Sequence, residues 1–172
     1  MSIFLFSSEN LTNTWAGIGA GLWAVSKSDD KPFHSGRITK SKGTKIGSFG
    51  ILYCSETQCL TTPFIVFSAP DSRTTIANVW RGEWVLPFRI HPLGSPRKQL
   101  HKDEAMKVLP TLASSKHSNF GKALPVQATT VFSATPLQDA DWEVLISKLG
   151  EIFTGAEFQT ARGHTPMSLD LG

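Results

Sequence analysis

Short apolar runs alternate with polar breaks along most of the chain, and the length of each run predicts its element. Ile3–Phe6 is four apolar residues stopped by Ser7, Ser8 and Glu9, which reads as a buried strand. Asn10–Gly17 reads as one helical turn or a loop, with Asn10 or Thr12 as cap. Gly17, Gly19 and Gly21 argue against a regular helix continuing there. Leu22–Val25 reads as a second strand. Ser26–Lys45 is polar and poor in apolar residues, so it is expected as a long loop or a frayed hairpin. Ser48–Ser55 and Cys59–Ser68 are strand-like runs around Glu56, Thr57 and Gln58, which predicts a hairpin. Ala69–Thr75 holds Pro70 and Asp71 and reads as a turn. Ala77–Ile90 reads as a strand pair, or as one strand broken near Gly82 and Pro87.

The second half is more helical. Leu100–Leu109 carries Leu100, Met106, Val108 and Leu109 among charges, which suits a short helix. Val126–Ser133 reads as a strand. Thr135 then suits an N-cap and Pro136 the first helical position. Trp142, Leu145, Ile146 and Leu149 follow helical spacing up to Gly150. Six or seven short strands with two or three helices make an α+β domain, a small closed or half-closed barrel with helices at its rim. Residues 1–153 are assigned to this domain and residues 154–172, which lack periodicity, to a tail or linker.

Composition changes this picture little. The 172 residues are 40% hydrophobic and 18% charged, enough for one ordinary core. The net charge of +3 permits a polyanionic partner without demanding one. The most basic stretch is the polar one, with Lys27, Lys31, Arg37, Lys40, Lys42 and Lys45. Cys54 and Cys59 form no CxxC pair and are expected to be reduced and structural. The segment MSIFLFSSEN has no charged lead and only four apolar residues in a row, so a soluble, cytoplasmic chain is expected.

Catalytic patterns are missing. His34, His91, His101, His117 and His164 show neither HExxH nor HxH spacing, and no GxSxG turn is present. The Gly47–Gly50 stretch lacks the GxxxxGK[ST] pattern of a phosphate loop. Asp103 and Glu104 are helix neighbours that face different ways. A binding domain without cofactor or metal is therefore expected, not an enzyme. Binding features are stronger, because Trp23 precedes the basic stretch, and Trp80, Arg81, Trp84 and Arg89 interleave. Aromatic side chains stack on bases and basic ones hold phosphates. The same alternation also arises when tryptophans fill a barrel and their neighbours point outward.

Three segments in order, IFLFSSEN, GAGLWAVS and VWRGEWVLPFRI, resemble the EVE and YTH families of the PUA-like superfamily across roughly residues 2–109. The resemblance implies a pseudo-barrel whose aromatic pocket receives one flipped base. YTH domains hold N6-methyladenine in RNA, and EVE-type domains serve bacterial modification-dependent restriction systems. It implies a reader of a modified base in DNA, such as 5-methylcytosine, 5-hydroxymethylcytosine or N6-methyladenine. That reader would be the specificity part of a restriction endonuclease, with the nuclease beyond Gly172 or on another subunit. A YTH-like RNA reader and a small-molecule or protein-interaction domain are the alternatives.

By the same resemblance Trp23 matches the first cage tryptophan, Ser8, Glu9 and Asn10 the polar turn that reads the base, and Ser26 a contact to its edge. Glu9 stands where the YTH pattern has asparagine, which puts N6-methyladenine in doubt and leaves modified cytosine open, and a solvated turn residue is the alternative reading. Trp84, Phe67 or Phe33 is expected at the pocket mouth and Trp15 as a cover or packed under the first helix, whereas Trp80 matches a structural tryptophan. Arg37, Lys40, Lys42, Lys45, Arg73 and Arg81 are the candidates for the nucleic-acid backbone.

Overall fold

The structure is a computed structural model and describes residues 2–126 and 130–152. It begins with strand β1 (Ile3–Ser8), helix α1 (Leu11–Ala20), strand β2 (Leu22–Ser26) and helix α2 (Lys31–Ser41). Strands β3 (Phe49–Cys54), β4 (Cys59–Val66), β5 (Thr75–Ile76), β6 (Trp84–Pro92) and β7 (Gln99–His101) follow. Helices α3 (Lys102–Val108), α4 (Pro110–Ala113), α5 (Phe120–Ala123) and α6 (Asp139–Leu149) complete the described chain.

The sheet runs in the order β1-β3-β4-β6-β2, with β5 paired to β6 and β7 to β4. The β1–β3 pair is parallel and the others are antiparallel. This is a mixed half-barrel flanked by helices, α+β as the sequence pattern predicts. There are six helices among the described residues, not two or three, because several are single turns.

Strand alternation explains why β1 is apolar at every early position. Phe4 and Phe6 point into a core inside the half-barrel, with Trp23, Leu52, Phe64, Trp80 and Phe88. Ile3 and Leu5 point into a second core, where Ile51, Leu60, Leu109, Trp142 and Leu145 lie against the helices. A strand buried on both faces needs a continuous apolar run.

Several elements depart from expectation for identifiable reasons. The α1 helix runs straight through Gly17 and Gly19 and ends at Gly21, a left-handed C-cap with φ 70°. Gly17 is there for space: a Cβ on it would stand 2.5 Å from Cε3 and Cζ3 of Trp23. The expected loop 26–45 contains α2, capped by Asp30, whose carboxylate accepts from the Phe33 N–H, and opened by Pro32 near its start. Its inward stripe is short and includes an arginine, which hides it from apolar periodicity. Pro87 does not break β6. Leu86 takes φ 55° instead and makes a bulge opposite β2 between Trp23 and Val25.

Near the C-terminal end, β7 occupies the start of the expected 100–109 helix. The expected strand over 126–133 falls partly outside the described residues, and Thr130–Ser133 form turns. Thr135 does not cap α6. Its N–H and hydroxyl both donate to the Ile3 carbonyl, and the helix starts at Asp139 after Gln138. The assigned tail, 154–172, lies outside the described residues. Cys54 and Cys59 face each other across the β3–β4 hairpin, both buried and free.

Candidate nucleic-acid interface

The sheet order leaves β1 and β2 as its two ends. A cavity of about 150 Å³ lies between them. Leu5, Phe6 and Ser7 line it from β1, and Trp23, Ala24, Val25 and Ser26 from β2. Arg37 of α2, Trp84 at the start of β6, and Val126 and Val131 complete the wall. Cavities of about this size take up a single aromatic ring.

Three tryptophans build one side. Trp23 meets Trp80 edge-on at 5.1 Å between ring centroids, and Trp80 meets Trp84 at 5.1 Å. Only the outer two line the cavity. Trp80 is the brace between them, tied to α1 by its Nε1–H donating to the Asn13 carbonyl at 2.9 Å. Trp23 is 2% exposed and is seated by the space above Gly17. Trp84 is half-buried and donates from Nε1 to the Arg81 carbonyl. Ser26 pairs with Trp84 across β2 and β6. The adjoining Lys27 and Glu83 hold this rim through a backbone hydrogen bond and a 3.1 Å ion pair.

Arg37 was expected on the phosphate backbone, and the structure places it elsewhere. It is 4% exposed and lines the cavity. Nη1 donates to the Ser26 carbonyl at 2.9 Å, and the guanidinium carbon sits 4.7 Å from the Phe33 ring centroid. Nε and Nη2 are buried with no hydrogen-bond partner among the described residues. Burial pushes its pKa below the ordinary arginine value, since removal from water disfavours the charged form.

The polar turn after β1 does not line the cavity, contrary to expectation. Its side chains build the entry to α1 instead. The Ser8 hydroxyl donates to the Asn10 carbonyl and accepts from the Thr14 hydroxyl. Asn10 caps α1 by accepting from the Asn13 N–H at 2.8 Å. Glu9 is exposed, and its carbonyl accepts from the Glu56 N–H. The β1 residue that does reach the cavity is Ser7, whose hydroxyl donates to the Val126 carbonyl.

Two expected aromatic walls also lie elsewhere. Phe67 is 54% exposed and rests on His91, and Trp15 is half-buried on α1. Phe33 contributes indirectly, under Arg37. Sequence reasoning missed Leu5, Phe6, Ser7, Val126 and Val131. The apolar run of β1 was visible, but that its edge faces β2 follows only from the sheet order.

The remaining basic candidates are on the surface. Lys40 belongs to the last turn of α2, with Lys42 and Lys45 just after it, and all three are exposed. The segment that supplies Arg37 to the cavity therefore also carries cationic surface. Arg81 is exposed beside Trp84. Arg73 is bound into another loop, 3.8 Å from Asp71. Among the described residues no group of three His, Cys, Asp or Glu side chains could hold a metal ion. No described helix is long and apolar enough to cross a membrane.

Comparison with known proteins gives likeness of fold. No family model and no curated protein matches the chain. The Toxoplasma CPSF4 YTH domain in its apo form is 15% identical, with a TM-score of 0.51 over 87% of this chain and 88% of that one. The Mmi1 YTH domain in complex with RNA is 12% identical, with a TM-score of 0.49 over 88% of this chain and 84% of that one.

Proposed function

We propose that this half-barrel, whose fold is that of YTH domains, is a reader that flips a modified base of DNA into the cavity between β1 and β2. The observation that carries the reading is the cavity itself. It has room for about one ring, indoles from two different strands line it, and cationic residues lie in the adjoining α2 segment. The resemblance of its three motifs to EVE domains supports DNA as the nucleic acid. It also supports a role as the specificity part of a modification-dependent restriction endonuclease. The cutting chemistry would belong to another domain or subunit.

The energetics favour such a site. Extracting a base from a duplex costs a few kcal/mol. Stacking on an aromatic face returns about 1–3 kcal/mol per base. A buried methyl group adds about 0.8 kcal/mol, enough for a preference of a few-fold. Polar additions such as a hydroxymethyl group need a hydrogen-bond partner, and Ser7 and Ser26 are the hydroxyls on the wall.

Fluorescence anisotropy at fixed salt tests the reading. Probes are duplexes with cytosine, 5-methylcytosine, 5-hydroxymethylcytosine, adenine or N6-methyladenine, and single-stranded RNA with and without N6-methyladenine. One modified duplex should bind tighter than its unmodified twin, and Trp84→Ala should remove the preference. Preference for the modified RNA would replace the DNA assignment with a YTH-like one. Equal, salt-sensitive binding of all probes would reduce the protein to a nonspecific binder. No binding at low salt would leave a small-molecule or protein-interaction domain.

A further inference from the structure

Six buried side-chain nitrogen and oxygen atoms have no hydrogen-bond partner among the described residues. Two of them, Nε and Nη2 of Arg37, belong to a residue that lines the cavity, and the other four do not. These two nitrogens form one edge of the planar guanidinium and donate in parallel. The third nitrogen is already engaged, since Nη1 donates to Ser26, and the Phe33 ring supports the plane. The group is thus oriented and desolvated while one full edge stays unanswered. A buried cation with unmet donors is destabilising unless something supplies acceptors.

We infer that Arg37 is the specificity-determining residue of the cavity and selects a cytosine-class base by donating from Nε and Nη2 to two adjacent ring acceptors. This rests on the base-reader function proposed above. The cytosine pairing edge carries N3 and O2 side by side, both acceptors. Adenine and N6-methyladenine offer no two adjacent acceptors: N1 and N7 each adjoin the exocyclic amine or its methyl, and N3 stands alone beside the glycosidic nitrogen, so the second arm of the fork would go unanswered. Uracil and thymine place N3–H between their two carbonyls. Guanine offers O6 and N7 together, but it is bicyclic, and the cavity of about 150 Å³ matches one ring. The cytosine C5 substituent would then lie on the side of the ring away from the fork, free to contact another part of the wall.

The test uses the full chain and the oligonucleotides above, with one more probe in which the preferred base is replaced by its 3-deaza analogue. That analogue keeps the ring, the amine and O2 but lacks the N3 acceptor. Wild-type protein should favour a modified cytosine over N6-methyladenine and lose at least about tenfold in affinity for the 3-deaza probe. Arg37→Gln and Arg37→Lys, which lack the parallel fork, should bind the modified cytosine about tenfold more weakly and respond little to the 3-deaza change. Melting temperatures identify variants that fold. If Arg37→Gln does not fold, Arg37→Lys and the analogue on wild type carry the test. A wild-type preference for N6-methyladenine overturns the inference while the reader function stands. So does a 3-deaza penalty of equal size in wild type and variant. Indifference to every modified base sinks the reader function and this inference with it.

Discussion

The described chain buries one cation and one anion, one on each side of the sheet, and surrounds them very differently. Asp141, in α6, has no exposed surface and accepts from every side. Oδ1 takes the Thr111 N–H at 2.9 Å, and Oδ2 takes the Thr111 hydroxyl and the Gln138 N–H. One carboxylate thereby joins the starts of α4 and α6, where helix dipoles favour negative charge. Among the described residues, Arg37 donates a single hydrogen bond. The difference separates two uses of a buried charge. Asp141 is a clamp whose geometry is complete without any ligand. Arg37 is incomplete, and it belongs to the wall of a cavity with room for about one ring.

Removing the clamp should produce the largest effect. Asp141→Ala strands the Thr111 and Gln138 donors and should lower stability by about 3 kcal/mol, read by urea denaturation, without a specific change in oligonucleotide preference. Gly17→Ala should come next, at about 1–3 kcal/mol, because its methyl invades the Trp23 ring. Unlike the clamp variant it should also weaken binding of the modified base, measured at a temperature where the protein remains folded. Arg37→Met should reverse the sign. Replacing an under-bonded buried charge with an apolar chain should raise stability by about 1 kcal/mol while base preference is lost. A large destabilisation by Arg37→Met would make the cation a second clamp and erase the contrast.

The smallest effect concerns a charge at the surface. The Thr74 hydroxyl, and after it the Arg73 N–H, donate to the Asp71 carboxylate and hold its pKa below the ordinary 3.8. Its small contribution is therefore present above pH 3.8 and is lost as the pH falls through the lower folded value. Asp71→Asn should flatten the acid limb of the stability profile slightly and leave binding unchanged.

Much of the frame was legible in the chain because burial enforces pattern. The β1 run, the β3–β4 hairpin around Glu56–Gln58 and the Trp142–Leu149 stripe of α6 each show a period that one element satisfies. The α2 helix was not legible, because its inward residues include Arg37, which reads as surface in any hydropathy pattern. The site was legible in part. Trp23, Ser26 and Trp84 were picked from the sequence and line the cavity. Ser8 and Asn10 were misplaced because a polar turn can serve the backbone as readily as a ligand, and here the start of α1 takes their side chains. Ser7 was hidden because only the sheet order shows that the edge of β1 faces β2.

That sheet order also sets a timetable. β1 and β2 are neighbours in sequence, yet β1 pairs with β3, more than forty residues on, and β2 pairs with β6, about sixty residues on. Neither wall of the cavity has a partner until the later strands arrive. A chain emerging from the ribosome would carry Trp23 unsheltered until residues 84–92 followed it out. The pocket therefore needs both long-range pairings, β1 with β3 and β2 with β6, before its walls can meet.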